Sequence, residues 1–443
     1  MSYKACKFYY SDSLGHIQIL LYYIIPIVIN HYKHIRKPLQ PTNSFARMRL
    51  HGKERPIMQI REHSIPYQLF YPITDQYVKE EIIFFDIETT GFSASSSYLY
   101  LIGCVYYKAK SYHMIQWFCD GIEDEKTVLT NFFTFIKDYR MLVHYNGSGF
   151  DLPYLTQKCS QYQLPYNFET IDSFDIYKKI IPYKKILPIT NLKLKTVERF
   201  LNLPRKDTMD GGQLIQVYTQ YVALHALQKV RGQAPLIQIP KESGLPSIPI
   251  QDEQELLRLL LLHNEEDVTG LLTVCNILAY TDLLSWKVNA EFATQTKDSL
   301  MIHIHLKQPL PSKIEFTLPL TDQADNPLFI RVSANESSGV VTIPIFQGEL
   351  KYFFDNYKDY YYLPVEDTAV HKSVGEYVDK EYRQNAKPAT CYVKKEGVFL
   401  PQKFKAFTPC FYENYKDKLS FFEINEDFLQ DTDKLKTYLQ SLT

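Results

Sequence analysis

The hydrophobic pattern is sharpest where an apolar run, Ile82-Ile83-Phe84-Phe85, ends in two acids one residue apart, Asp86 and Glu88, and a Thr89-Thr90-Gly91 turn. Its branched and aromatic residues predict a buried strand. Tyr98 to Tyr107 and His113 to Cys119 read as the next two strands of a meander. From Glu123 to Tyr139 the period changes, and Val128, Leu129, Phe132, Phe133 and Ile136 share one face of a helix. Met141 to Tyr145 is a further short strand, broken by Asn146-Gly147-Ser148-Gly149. Phe150 to Gln161 restarts as a helix packed through Leu152, Tyr154 and Leu155. Three strands, a helix, a strand and a helix predict an α/β domain, a mixed β-sheet flanked by helices.

Further on, Thr170 to Leu203 reads as helical and basic, with nine Lys or Arg between Lys178 and Lys206 against the single Glu198. Gly211 to Leu227 is another helix. Gln228 to Gln251 carries Pro235, Pro240, Pro246 and Pro249 and reads as a long loop, of the kind used as a lid or insertion. Glu253 to Ala279 is a strongly apolar helix containing His263-Asn264-Glu265-Glu266-Asp267. Around Trp286 the pattern turns to short β-like runs: Leu300 to Leu306, Ile314 to Leu320, Leu328 to Val332 and Val340 to Phe346. A boundary near 285–295 therefore separates an α/β domain, 81–285, from a β-rich (α+β) C-terminal domain, 286–443, with aromatics clustered from Tyr352 to Tyr362. Residues 1–80 form an N-terminal extension without sustained periodicity. Its basic stretch, Lys33 to Arg55 with Pro38 and Pro41, reads as an extended arm.

Composition narrows the class. A chain of 443 residues implies two or three domains, and 45% hydrophobic with 22% charged residues is a globular balance. The net charge of −1 leaves no global basic field, so any nucleic-acid contact must be a local patch. Seven scattered cysteines without a C-x-x-C pair point to a reducing, cytoplasmic setting and away from structural zinc. The apolar stretch Ile19 to Ile29, interrupted by Pro26, falls short of the roughly 20 residues a spanning helix needs, so no membrane is expected. No small-x-small cleavage pattern follows it, which speaks against a signal peptide. The first ~45 residues read as poorly ordered or as an over-extended start, with Met48 as an alternative initiator.

The candidate chemistry begins with the two acids. Strand alternation puts Asp86 and Glu88 on one side with Cα atoms about 7 Å apart. Such carboxylates are costly to desolvate and repel each other, and a divalent cation between them removes both costs. Asp151 lies in the first turn of a helix, where the dipole favours negative charge. His263 and Asp267, four residues apart, share a helix face about 6 Å from each other. Four carboxylates suit two Mg²⁺ or Mn²⁺ ions, hard cations that prefer oxygen. Two such ions roughly 3.5–4 Å apart would clamp a phosphodiester, with His263 orienting or deprotonating the attacking water. Singly, each residue has a plainer reading: a chance D-x-E, a helix-terminal acid at Asp151, a satisfied histidine, a surface acid at Asp267. Their joint order on these elements is what makes the set specific. Glu265 and Glu266, on other faces of the helix, read as solvated, and Asp172 and Asp175 as capping or salt-bridge acids outside the metal set.

FFDIETTG, HYNGSGFDLPYL and HNEEDV together resemble the three motifs of the DEDD (DnaQ-like) exonucleases, which have a ribonuclease H-like fold. NLKLKTVERFLNLPRKD followed by DGGQLIQVY is similar to the YprB-type branch of that group. The resemblance covers about 81–285, roughly half the chain. It implies a 3′–5′ exonuclease that holds metal through Asp86, Glu88, Asp151 and Asp267, with His263 at the position that is His or Tyr in these enzymes. His263 stands four residues before Asp267, the spacing usually found with Tyr; the H-N-x-x-D pattern is a feature of the narrower branch.

The implied partner is nucleic acid, DNA or RNA, at a single-stranded 3′ end. Candidate substrate contacts are Thr89 and Thr90 through their turn, Asn146 before Asp151, and Lys193, Lys195, Arg199, Arg205 and Lys206 in the basic stretch. The alternatives are a catalytically weak or inactive nucleic-acid-binding scaffold, kept open by the C-terminal domain, and a structure-specific endonuclease.

Overall fold

The computed structural model describes residues 58–231, 252–320 and 328–442. The basic arm, the apolar stretch at 19–29 and most of the proline-rich loop lie outside the described residues. The predicted meander is present as β2 (Ile82–Thr89), β3 (Leu99–Lys108) and β4 (Ser111–Phe118), antiparallel throughout. The sheet starts earlier than expected, because β1 (Gln59–Ile65), inside the extension read as irregular, pairs antiparallel with β4. As an edge strand it exposes most of its residues on both faces, so its sequence carries no alternation to read.

Helix α1 (Glu125–Ile136) leads to β5 (Met141–His144), which runs parallel to β2, and α2 (Asp151–Gln161) follows. The stretch read as one basic helical region, 170–203, is different. It contains β6 (Asp172–Asp175), parallel to β5, then two short helices, α3 (Ile176–Ile180) and α4 (Leu194–Phe200). Pro182 and Pro188 prevent one continuous helix, and β6, only four residues long with a polar sequence, gives no periodic signal. The sheet order is β1-β4-β3-β2-β5-β6, three antiparallel strands continued by two parallel ones, with β1 added at the edge. This is the ribonuclease H-like arrangement that the motifs imply.

Helices α5 (Gly211–Arg231), α6 (Glu253–Val274) and α7 (Leu278–Leu284) complete this region. Alternation on β2 divides the core in two. Ile83, Phe85 and Ile87 pack with α1, α2 and α5, while Ile82 and Phe84 face α3, α4 and the second half of α6. Asp86 and Glu88 therefore continue the Phe84 side. Residues Glu253–Leu284 are long and apolar enough to cross a membrane, but 72% of their most apolar window is buried inside the fold.

The change of architecture falls at Trp286, buried and with φ 55°, after which β7 (Val288–Gln295) begins. Strands β7, β8 (Ser299–Leu306), β11 (Ser338–Pro344), β10 (Phe329–Asn335) and β9 (Ile314–Pro319) form an antiparallel sheet in that order. Two three-stranded antiparallel sheets follow, so the remainder is strand-rich, as its pattern predicts. The core passes without a break from Phe84 and Leu271 to Ile302, Val341 and Leu435 of the helix Thr432–Gln440.

Candidate active site

Three elements bring the acids together. Asp86 and Glu88 come from the end of β2, Asp151 from the first residue of α2, and His263 and Asp267 from one face of α6. Potential ligand atoms of Glu88, His263 and Asp267 lie within 4.8 Å of one another. Nε2 of His263 is 3.5 Å from Asp267 Oδ2 and 3.7 Å from Glu88 Oε1. Asp151 is buried and accepts from the backbone N–H of Ile87, which ties α2 to β2.

The electrostatics fit a cation site. Burial first, then the charges of Asp151, Glu88 and Asp267, raise the Asp86 carboxyl well above the usual range. Burial followed by Asp267, Asp151 and Asp207 does the same to Glu88. Asp151 is pushed up to about 7, chiefly by burial and against the pull of backbone N–H groups. Several carboxylates that raise one another's proton affinity inside a low-dielectric pocket are what an oxygen-preferring divalent ion relieves. Glu88, His263 and Asp267 are thus a group that could hold a divalent cation, with the raised carboxyls of Asp86 and Asp151 beside it.

Around this set is a shell whose members sit far apart in the chain. Asn264, next to His263, directs Nδ2 at Asp86 Oδ2 (3.3 Å), and its Oδ1 accepts from Gln116 Nε2 (3.0 Å). Gln116 also donates to the carbonyl of Leu261, locking α6 across β3 and β4. The approach requires glycine on β3: Gly103 opposes Asp86 in the ladder, and a Cβ there would lie 2.0 Å from Asn264 Oδ1. Asp207 is buried and takes Nδ1 of His263 at 2.7 Å. Glu266 is not a solvated residue of α6; its two oxygens accept the backbone N–H groups of Lys206 and Asp207, each at 2.9 Å. That clamp holds the 201–210 segment onto α6.

Arg205 lies beneath this loop. Its Nη1 is 2.5 Å from Asp267 Oδ1 and 2.8 Å from the buried Glu198, and its Nη2 is 3.2 Å from Asp207. Lys195 Nζ bonds Asp207 at 3.0 Å and also the carbonyl of Met209. Of the five basic candidates, Lys195 and Arg205 are therefore engaged inside the protein, while Lys193, Arg199 and Lys206 are exposed. Thr89 donates to the Gly91 carbonyl, and Thr90 accepts from the N–H of Tyr98, so both hydroxyls shape the turn after β2. Asn146 has φ 62° and starts the loop leading to Asp151.

Asp175 and His144 hold that loop. Asp175 accepts the N–H groups of Asn146 (2.9 Å) and Ser148 (3.2 Å) and caps α3, and His144 Nδ1 accepts from Gly147 at 3.0 Å. Burial depresses His144 to about 4, against the pull of Asp175. With Nδ1 already an acceptor, neutral His144 carries its proton on Nε2, which donates to Ser173 at 2.8 Å. Ser173, His144 and Asp175 thus form a loop brace, not an activated-serine triad. Asp172 accepts from the Tyr77 hydroxyl, a structural bond. Asn264 and Asp207 were legible only as neighbours of recognised motifs: Asn264 adjoins His263, and Asp207 ends the NLKLKTVERFLNLPRKD stretch.

Residues 83–231 match RNase_H_2, a family model of the RNase_H superfamily. The match covers about a third of the chain and stops before α6. It agrees with the sheet order, so this part of the chain has a ribonuclease H-like fold. No curated protein matches the chain. Among solved structures it is similar to the family B DNA polymerase from the hyperthermophilic archaeon Pyrobaculum calidifontis. That similarity has 12% identity and a TM-score of 0.30, over 63% of this chain and 35% of the polymerase chain. The chain thus spans about a third of that polymerase's length.

Proposed function

We propose that this protein is a divalent-metal-dependent nuclease, a DEDD-type 3′–5′ exonuclease of the YprB branch that works by a two-metal-ion mechanism. The observation that carries the reading is the grouping of Glu88, Asp267 and His263, whose potential ligand atoms lie within 4.8 Å of one another, with Asp151 and Asp267 raising the proton affinity of both Asp86 and Glu88. Two Mg²⁺ or Mn²⁺ ions bound there would neutralise the phosphodiester and ease ionisation of the attacking water. The protein's own share is to hold the four carboxylates from three elements and to present Nε2 of His263 to that water. The substrate is nucleic acid, taken at a single-stranded 3′ end. Exposed Lys193, Arg199 and Lys206 would meet backbone phosphates, and Phe92, 92% exposed and 6.0 Å from the Phe150 ring, offers a surface for a terminal base. Thr89, Thr90 and Asn146 would position that end through the backbone of their turns.

The test is a panel of end-labelled DNA and RNA strands with Mg²⁺ or Mn²⁺. The expected result is stepwise shortening from the 3′ end that requires metal and disappears in Glu88→Ala and Asp267→Ala. A circular single strand should remain intact; cutting it would replace the exonuclease reading with an endonuclease. Intact substrates throughout would leave a nucleic-acid-binding scaffold.

A further inference from the structure

We infer that Asp207 and His263 form a positioning dyad that fixes the tautomer of the imidazole. The inference rests on the role proposed for His263 and extends it to the residue behind the ring. His263 is buried, and its two nitrogens face different surroundings. Nδ1 is 2.7 Å from Asp207 Oδ2, whereas Nε2 is turned to Glu88 and Asp267 at 3.7 and 3.5 Å.

Asp207 cannot donate to the ring. Its Oδ2 accepts from Lys195 Nζ (3.0 Å) and Arg205 Nη2 (3.2 Å), and its Oδ1 accepts the N–H of Met209 (3.0 Å). A carboxylate surrounded by two cations and an amide is an ionised acceptor. The hydrogen between Asp207 and the ring therefore belongs to Nδ1. The lone pair, when the ring is neutral, is on Nε2 and points into the acid cluster. This is the orientation a base needs to take a proton from water held there.

Three features keep Asp207 in place independently of the ring. Glu266 accepts its backbone N–H, Lys195 and Arg205 bond its carboxylate, and Arg205 is itself anchored on Glu198. Two of the five basic residues read from sequence as phosphate contacts, Lys195 and Arg205, thus serve the orientation of His263. An amide at position 207 would reverse the logic. Asn would offer N–H to Nδ1 or lose the bond, and the proton would move to Nε2, blocking the lone pair.

The experiment uses the full chain labelled with ¹⁵N-histidine, with His263→Gln to assign the ring resonance, in the metal-free and Mg²⁺-bound states. The expected spectrum has Nδ1 protonated in the unmodified protein and Nε2 protonated in Asp207→Asn. In single-strand hydrolysis, Asp207→Asn should lower kcat about 100-fold with KM little changed, and Asp207→Glu should recover part of the loss. An unprotonated Nδ1 in the unmodified protein, or a folded Asp207→Asn with full kcat, overturns the inference. If the unmodified protein cuts nothing, the nuclease reading falls, while the tautomer measurement still decides the dyad.

Discussion

The two regions of this molecule treat charge in opposite ways. Before Leu284, seven Asp, Glu or Lys residues and two histidines are buried; after it, the buried polar residues among those described are Gln402, Ser420 and Ser441. The second region reaches a comparable core with neutral hydrogen-bonding side chains, so the strand-rich architecture does not need interior charge. Some of the first region's charges are structural: Lys158 is 2.8 Å from Glu125, whose oxygens also take the N–H of Leu99 and the hydroxyl of Tyr162. The acids of β2, α2 and α6 are different, because they repel one another. Buried charges that stabilise sit opposite a partner, whereas carboxylates grouped with one another raise each other's cost of burial.

Four substitutions or titrations separate these cases. The largest effect is expected for Asp86→Asn. Turnover should fall on the order of 10³-fold, while the melting temperature in EDTA rises, because one repelling charge is gone. A lower melting temperature in EDTA would mean that Asp86 is a structural acid. Next, Lys158→Met should cost ~3–5 kcal/mol in urea unfolding by leaving Glu125 buried and unpaired. A loss under ~1 kcal/mol would remove the distinction between paired and unpaired acids.

In the other region, Gln402→Leu breaks two bonds to the Phe407 backbone, at 2.9 and 3.0 Å. It should cost ~1–3 kcal/mol with turnover unchanged; a fall in turnover would make the C-terminal sheets part of the active site. The remaining effect is a slope with pH. Asp151 is held at about 7, and Asp86 and Glu88 are also raised, so between about pH 4 and 7 the folded state binds protons that the unfolded state has released. Stability in EDTA therefore falls as pH rises through this window. His144, held near 4, works in the opposite sense, but one imidazole opposes three carboxyls. Thermal melts in EDTA should show the decline and Mn²⁺ should flatten it; the same slope with and without Mn²⁺ would mean that the ion does not bind these acids.

Legibility followed the range of the forces involved. Strands β2 to β4, helices α1 and α2, and the acids at their ends were readable because burial imposes a period of 2 or 3.6 over consecutive residues. The D-x-E on β2 and the H-x-x-x-D on α6 each state their geometry locally, since one strand or one helix fixes which side chains share a face. Edge strands β1 and β6 were missed, β1 exposed on both faces and β6 only four residues long, three of them polar, because neither has a buried stripe to impose a period.

What tertiary structure alone decided is which charge answers which. Arg205 and Lys195 looked like free phosphate contacts in a basic stretch, yet they are held by Glu198, Asp207 and Asp267. Glu266 looked solvated and instead clamps two backbone amides from a segment 59 and 60 residues away. Asn264 reaches Asp86 over a glycine on a third element. Hydrogen bonds and ion pairs act over a few ångströms in space and leave no period in the chain. Periodicity along the chain therefore decided β2 to β4, α1 and α2 and which of the candidate acids share a face, and folding decided the short edge strands and the partners that surround those acids.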